Sequence, residues 1–387
     1  MPRTTPDSPE RFAPIFAGSD LRAPKVVAVY GANGSGKSTV LKALAMLVWF
    51  VKDSFQNTAP GIPFQRFNDE WSANRPVRLA IEFGYVTVLS EKAVAKAAEG
   101  HAVPQGVYRY ELELGTKDGI VQTVNKEVLR QKRDGRGKWR RVFERNAGNK
   151  LLGSNVFPLS GYAKIIDKIR DNASVVATLA LFEHEPSQVL VSAASGILGN
   201  ILISKTNPSD SDVFRYLADN PSVVSELNRE LQRIDVGIQN MGIIHTPNGP
   251  APVFQHEGLF KDMHWNLESH GTQSFIRMVP WLLRSLSRGG TAIIDELDLS
   301  IHPLILPEIL RWYYDSVRNA HDAQLWMTCH SASLMGDLMK EEIVLCQKDR
   351  QGRSEIFALS DVKSIRRNDN LYKKYLGGVY GAVPHIG

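Results

Sequence analysis

Apolar and polar positions fall into two rhythms along this chain, and the changes of rhythm mark its elements. The run KVVAVY (25–30) is continuously apolar after its first residue, the pattern of a short strand buried on both faces of a parallel sheet. A glycine-rich stretch follows at once. Then 39–51 predicts a helix, strongly apolar and ended by Pro60, Gly61 and Pro63. From 77 onward apolar residues alternate with polar ones in VRLAIEF (77–83), in VYRYELEL (107–114) and in two runs on either side of DGRG (134–137), which predicts antiparallel hairpins. Between 146 and 232 strand signals are few, and helical stretches at 162–170, 213–217 and 223–234 predict a helical insertion. From Asp235 onward strands and helices alternate again. TAIID (291–295) and QLWMT (324–328) are short strands of the buried parallel type, and a helix is predicted over 274–286.

At 387 residues the chain exceeds a single ordinary domain of about 100–200 residues, so one large elaborated domain or two lobes are expected. It is 43% hydrophobic, 9% aromatic and 22% charged, which excludes collagen-like, coiled-coil and wholly disordered classes. The net charge of +5 permits contact with nucleic acid or phosphate without demanding it. Cys329 and Cys346, with no clustered partners, support neither a disulfide framework nor a zinc site. The N-terminus lacks the apolar core of a signal peptide. The longest apolar stretch, 43–51, is half of the roughly 20 residues that cross a bilayer. A soluble cytoplasmic protein with no membrane partner is expected.

GANGSGKS (31–38) fits G-x-x-x-x-G-K-[ST] and stands where its chemistry requires, after an apolar strand and before a helix. The glycines let the backbone curl so that N–H groups and the helix N-terminus point at phosphate oxygens. Gly31, Asn33, Gly34, Ser35, Gly36, Lys37, Ser38 and Thr39 are the candidate nucleotide-binding residues. Lys37 reaches the β- and γ-phosphates, and the Ser38 hydroxyl can ligate Mg2+. The plain alternative, a bare glycine turn, does not account for the strand and helix on either side. The second apolar strand delivers Asp295 and Glu296 to its carboxyl end, where open α/β sheets bind ligands. Asp295 is the candidate to hold Mg2+ beside Ser38, and Glu296 to polarise the attacking water. Upstream, Ser269 and Gly271 in LESHGTQ (267–273) offer a hydroxyl and N–H groups at a helix N-terminus, suited to a γ-phosphate. Downstream, His330 follows the strand at 324–328, where an imidazole can sense the γ-phosphate. By itself that histidine reads as a polar residue at a strand end. The order of motifs assigns it with Lys37 and Glu296 to the catalytic set.

The succession GANGSGKS, ESHGTQ (268–273), AIIDELDLSIHP (292–303), QLWMTCHSASLM (324–335) and YLGGVYGAVPHI (375–386), with RIDVGI (233–238), resembles the ABC-type AAA ATPases of bacterial phage-defence and restriction-linked loci, the RloA, AbiL and OLD-like group. That resemblance implies an α/β fold: a P-loop NTPase of ABC-ATPase type, with a mixed sheet, an antiparallel β subdomain and a helical insertion. It divides the chain into an N-terminal core part with Walker A (1–86), hairpins (87–145), the insertion (146–232) and a C-terminal core part with signature, Walker B and switch histidine (233–387). It implies ATP and Mg2+, and a homodimer or higher homo-oligomer whose composite sites use Ser269 and Gly271 in trans on the nucleotide held by Lys37 and Ser38. The signature is not the transporter LSGGQ, and His302 stands where transporters carry a D-loop aspartate, so transport is not expected. Gln65 and Gln56 both remain candidates for the Q-loop. The first hairpin before 25 is expected to be short or rearranged. OLD-like relatives add a Toprim nuclease for which the residues after His330 leave no room, so nuclease or toxin activity is expected from a separate effector subunit.

Two other readings stand beside an ATPase that regulates an effector in antiviral defence, by abortive infection or a restriction-linked route. One is a DNA-repair ATPase of RecF or SMC kind, with the basic segment 126–145 on duplex DNA. SMC-type arms are excluded by the lack of heptads over 87–232. The plain alternative for the basic segment is a solvated hairpin, and for Trp312, Tyr313 and Tyr314 it is the core or a dimer contact. The other is a nucleotide-gated scaffold of low turnover, against which Glu296 speaks.

Overall fold

In this computed structural model the described residues are 8–16, 18–67, 69–73, 75–85, 106–117, 119–133, 135–148, 150–201, 209–234, 237–299, 301–363, 365–366 and 369–383. The first part of the expected hairpin segment, 87–105, lies outside them. Strands β1 (Phe12–Pro14), β2 (Arg22–Pro24) and β3 (Val26–Tyr30) precede helix α1 (Lys37–Asp53). Strands β4 (Val77–Tyr85), β5 (Gly106–Lys117), β6 (Ile120–Arg133), β7 (Arg140–Asn146) and β8 (Lys150–Leu152) follow, then helices α2 (Ala163–Ile166), α3 (Val175–Leu181) and α4 (Glu185–Ser195). Next come β9 (Ile197–Gly199), α5 (Asp210–Asp219), α6 (Pro221–Ile234), β10 (Ile238–Thr246), β11 (Gly249–His256), β12 (Met263–His264) and α7 (His270–Arg288). The last elements are β13 (Thr291–Ile294), α8 (Ile305–Tyr314), β14 (Gln324–Thr328), β15 (Ile343–Lys348), β16 (Ser354–Ala358) and α9 (Leu371–Leu376).

These form two compact units. One comprises Pro24–Lys42 and Ile197–Gly387, the other Met1–Ala23 and Ala43–Gly196. In the first, six strands order as β16-β15-β3-β14-β13-β9. Every pair is parallel except β15 with the edge strand β16. β3 is buried at all five residues, which is why its sequence runs apolar without alternation. Val26, Ala28 and Tyr30 share one core with Leu282 and Leu286 of α7 and Ile309 and Tyr313 of α8. Trp312 and Tyr313 thus belong to that core, where the Tyr313 hydroxyl lies 2.8 Å from Ser285 Oγ. β10, β11 and β12 make a separate antiparallel sheet.

β9 falls inside 146–232, where helices were expected, and pairs with β13 from Ile197 opposite Thr291. Three residues are too few to show a period. The helix expected at 162–170 shrinks to α2, because Lys168 and Ile169 bond to carbonyls three residues back and so make tighter turns that do not propagate. α7 begins earlier than expected, at His270, with Ser269 as its N-cap. Among the described residues no helix is long and apolar enough to cross a membrane.

In the other unit β1 and β2 form a short hairpin, and β4 to β8 form an antiparallel sheet in chain order. Its interior holds a polar knot. Glu127 accepts hydrogen bonds from the Tyr110 hydroxyl (2.9 Å), the Ser174 hydroxyl (2.7 Å) and the Val175 N–H (2.9 Å). Ser174 also caps α3. Arg145, 1% exposed, lies 3.9 Å from Glu127, 0% exposed, and donates to the Ala173 (2.6 Å) and Arg170 (2.9 Å) carbonyls. Burial pushes the Glu127 carboxyl above its ordinary range, and Arg145 and the three donors oppose the shift. Glu127→Ala would leave the Tyr110 and Ser174 hydroxyls and the Val175 N–H without their acceptor and remove the buried carboxylate beside Arg145. It is expected to lower the unfolding free energy by about 3–5 kcal/mol, read from chemical denaturation of the full chain.

Candidate functional site

The phosphate loop leaves the carboxyl end of β3. Gly31, Gly34 and Gly36 take φ of 156°, 73° and 107°, conformations in which a side chain would be strained. Asn33 and Gly34 form the exposed tip, Ser35 and Lys37 are buried, Ser38 is half-buried and Thr39 is exposed. The Lys37 ammonium folds back on the loop, donating to the Gly31 (2.9 Å) and Ala32 (3.2 Å) carbonyls. Burial pushes its pKa below the ordinary lysine value, while Cys346, Asp295, Glu296 and Asp298 pull the other way.

Three residues to which the sequence reading gave no role, Asn200, Thr328 and Asp298, hold the region after β13. Asn200, just after β9, accepts from the Asp295 N–H (2.8 Å) and donates to the Asp295 carbonyl (3.0 Å). Thr328, the last residue of β14, donates its hydroxyl to Asp295 Oδ1 (2.6 Å), and its oxygen accepts from the Glu296 N–H (2.7 Å). Glu296 takes φ 53°, a left-handed conformation that costs a non-glycine residue about 1–3 kcal/mol and persists where surrounding bonds enforce it. Its side chain stays 47% exposed, with Oε1 3.7 Å from Nε2 of the 43% exposed His330. Asp298 Oδ2 accepts from the His330 (2.9 Å) and Ser331 (2.6 Å) N–H groups, pinning the turn after β14 to the turn after β13.

The fold thus gathers Lys37, Asp295, Glu296 and His330 at one edge. Ser269 and Gly271 are placed differently. The Ser269 hydroxyl accepts from the Thr272 N–H (3.1 Å), and Glu268 beside it is buried against His256 Nε2 at 2.5 Å. Among the described residues neither Ser269 nor Gly271 bonds to the phosphate loop or to the Asp295 cluster. His302 is exposed, its Nδ1 accepting from the Leu304 N–H. Gln56 and Gln65 both belong to the unit without the phosphate loop.

Four cations of the basic segment pair with carboxylates. Arg145 is buried, Arg130 pairs with Glu111, Lys126 with Glu144 (3.5 Å) and Arg136 with Asp20 (2.6 Å). Lys132 lies over the Trp139 ring at 4.5 Å. Lys138, Arg140 and Arg141 stay exposed without an ion-pair partner among the described residues.

A family model described as "AAA domain, putative AbiEii toxin, Type IV TA system" matches residues 26–336, from the first residue of β3 to beyond His330. The chain belongs to that family. Its sheet and phosphate loop are those of an α/β P-loop NTPase. This AAA domain also resembles solved SMC heads at low scores. An SMC head bound to the C-terminal winged-helix domain of ScpA gives TM-score 0.47 at 13% identity, covering 89% of this chain and 94% of that one. The Thermotoga maritima SMC head gives 0.35 at 13%, covering 90% and 97%. A Pyrococcus furiosus SMC head with an extended coiled coil, bound to the C-terminal domain of ScpA, gives 0.38 at 11%, covering 93% and 94%. What identifies the fold is the sheet order and the family match rather than these superpositions. No curated protein matches the chain.

The residues of the AAA domain fit a nucleotide with Mg2+. Ser35 Oγ is buried in the loop without a hydrogen-bond partner. Thr39 and Val40 bond to the Gly36 carbonyl, so the Lys37 and Ser38 N–H groups, in the first turn of α1, have no acceptor within the helix. Donors, an ammonium and a carboxylate pair are what a metal-bound polyphosphate requires. Thr328→Val would leave Asp295 Oδ1 without a donor and the Glu296 N–H without an acceptor. It is expected to cost about 1–3 kcal/mol of stability, measured by denaturant unfolding of the nucleotide-free chain.

Proposed function

We propose that this AAA domain binds ATP with Mg2+ at 31–39 and hydrolyses it, that two copies close over the nucleotide, and that the cycle regulates a separate effector in antiviral defence. The observation that carries the reading is the Thr328 bridge. One hydroxyl on the strand between β3 and β13 binds the Asp295 carboxylate and the Glu296 backbone at the edge where the phosphate loop leaves β3.

In this reading the N–H groups of Asn33, Gly34, Ser35, Gly36 and the first turn of α1 bind phosphate oxygens, and Lys37 exchanges the Gly31 and Ala32 carbonyls for them. Ser38 and Asp295 would hold Mg2+, which supplies positive charge to the phosphate oxygens when bound. Glu296 carries a carboxylate free of hydrogen bonds among the described residues and orients the attacking water, accepting its proton. His330, tied through its N–H to Asp298, stands beside Glu296 to meet the γ-phosphate. Ser269 and Gly271 sit at the N-terminus of α7, and their service to a second copy's nucleotide rests on the motif resemblance. The family description, with its toxin and type IV TA system, supports a separate partner. The defence context rests on the motif resemblance. A cytoplasmic setting goes with it. Lys126, Arg130, Arg136 and Arg145 are taken up by carboxylates of the same chain, which leaves the DNA-repair reading with Lys138, Arg140 and Arg141 alone.

Lys37→Ala is expected to abolish nucleotide binding. Glu296→Gln is expected to keep it while turnover falls about a hundredfold or more and ATP-dependent dimers accumulate in light scattering. Specific activity should rise with protein concentration. An equal mixture of Lys37→Ala and Ser269→Ala chains, each inactive alone, is expected to regain part of the parental rate, since a mixed dimer has one intact site. A mixture that stays inactive would remove the trans assignment, and parental hydrolysis by Glu296→Gln would remove the base.

A further inference from the structure

The phosphate loop rests on residues that lie beyond the family match, which ends at 336. β15 pairs in parallel with β3 and antiparallel with β16, so the β15–β16 hairpin runs alongside the strand that feeds the loop. Two side chains of this hairpin converge on one carbonyl. Ser35 O accepts from Cys346 Sγ at 3.0 Å and from Ser354 Oγ at 2.6 Å.

The same approach dictates two of the loop's glycines. A Cβ on Gly31 would stand 2.1 Å from the Cys346 carbonyl oxygen, and a Cβ on Gly36 would stand 2.4 Å from Ser354 Oγ. At Gly31 the obstacle is hairpin backbone, and at Gly36 a side chain would displace the Ser354 hydroxyl. The tail braces the arrangement. Gln347 Oε1 of β15 accepts from the Ala382 N–H (3.3 Å), Tyr375 donates to the Ala382 carbonyl (3.1 Å), and the Tyr375 ring lies 6.2 Å from that of Tyr30, the residue before Gly31. The motif-like tail thus has a structural task behind the loop.

A trans peptide is planar, with its C=O and N–H on opposite sides. Fixing the Ser35 carbonyl on the hairpin therefore turns the Gly36 N–H away from it, and φ 107° at Gly36 lets the chain continue into α1. Burial pushes the Cys346 thiol above its ordinary value, which keeps it a protonated donor near neutral pH. We propose that Cys346 and Ser354 are positioning residues for nucleotide binding, holding the Ser35–Gly36 peptide so that the Gly36 N–H faces the phosphate chain. This deepens the proposed function and rests on the reading that 31–39 bind nucleotide.

The test compares the parental chain with Ser354→Ala, Cys346→Ala, the double variant and Ser354→Thr, which keeps the hydroxyl. Binding of Mg2+-ADP is measured by calorimetry, hydrolysis by steady-state kinetics, and folding by melting without nucleotide. The double variant is expected to bind about tenfold more weakly while melting where the parent melts. KM should rise with little change in kcat, because the peptide serves ground and transition states alike. Ser354→Thr should bind as the parent does. Parental affinity in the double variant overturns the inference, as does a loss of affinity that only tracks a fall in melting temperature. If the parent binds no nucleotide, the reading of 31–39 falls and the inference with it.

Discussion

Three buried strands, β3, β14 and β13, pair in parallel and in register, and the polar residues of the site stand at their carboxyl ends. A parallel ladder brings successive strand ends to one edge whatever the length of chain between them. Val26 opposite Leu325, and Ala292 opposite the same Leu325, set that edge to within a residue. A slip of one residue would turn every buried side chain of a strand to its other face. It would also carry Thr328 away from Asp295.

On that frame a small set of hydrogen bonds holds the carboxylates. Asn200 takes both backbone groups of Asp295, Thr328 spans Asp295 and Glu296, and Asp298 ties the two strand-end turns together. The cost of left-handed backbone at Glu296 is offset by these bonds, and the result is a carboxylate that projects half exposed beside His330. On the far side of β3 the hairpin after residue 342 does for the phosphate loop what Asn200 and Thr328 do for the carboxylates. Each functional stretch is thus held by side chains from a strand distant in sequence.

The second unit is organised on another basis. Its five-stranded antiparallel sheet buries Glu127 and Arg145 among Tyr110 and Ser174, and the remaining cations of its hairpins mostly face carboxylates on neighbouring strands. Side chains of opposite charge across an antiparallel ladder are close neighbours. In the segment that reads as basic, Lys126, Arg130, Arg136 and Arg145 thus face carboxylates, while Lys138, Arg140 and Arg141 stay exposed without an ion-pair partner among the described residues.

Local spacing alone determined the phosphate loop, the apolar strands that precede it and end in Asp295 and at Thr328, and the helices α1, α6 and α7. Each of those depends on neighbours a few residues away: glycines that curl the loop, and apolar runs that need burial. Tertiary structure alone decided that three residues at 197–199 form a strand of the core, that Thr328, Asn200 and Asp298 hold the site, and that Cys346 and Ser354 back the loop. Asn200, Cys346 and Ser354 lie outside every quoted motif, and Thr328 and Asp298 lie inside motifs that do not say what their side chains bind. Their roles arise from pairing across long separations, as between Asn200 and Asp295 or Ser35 and Ser354, and only the folded sheet brings such positions within hydrogen-bond reach.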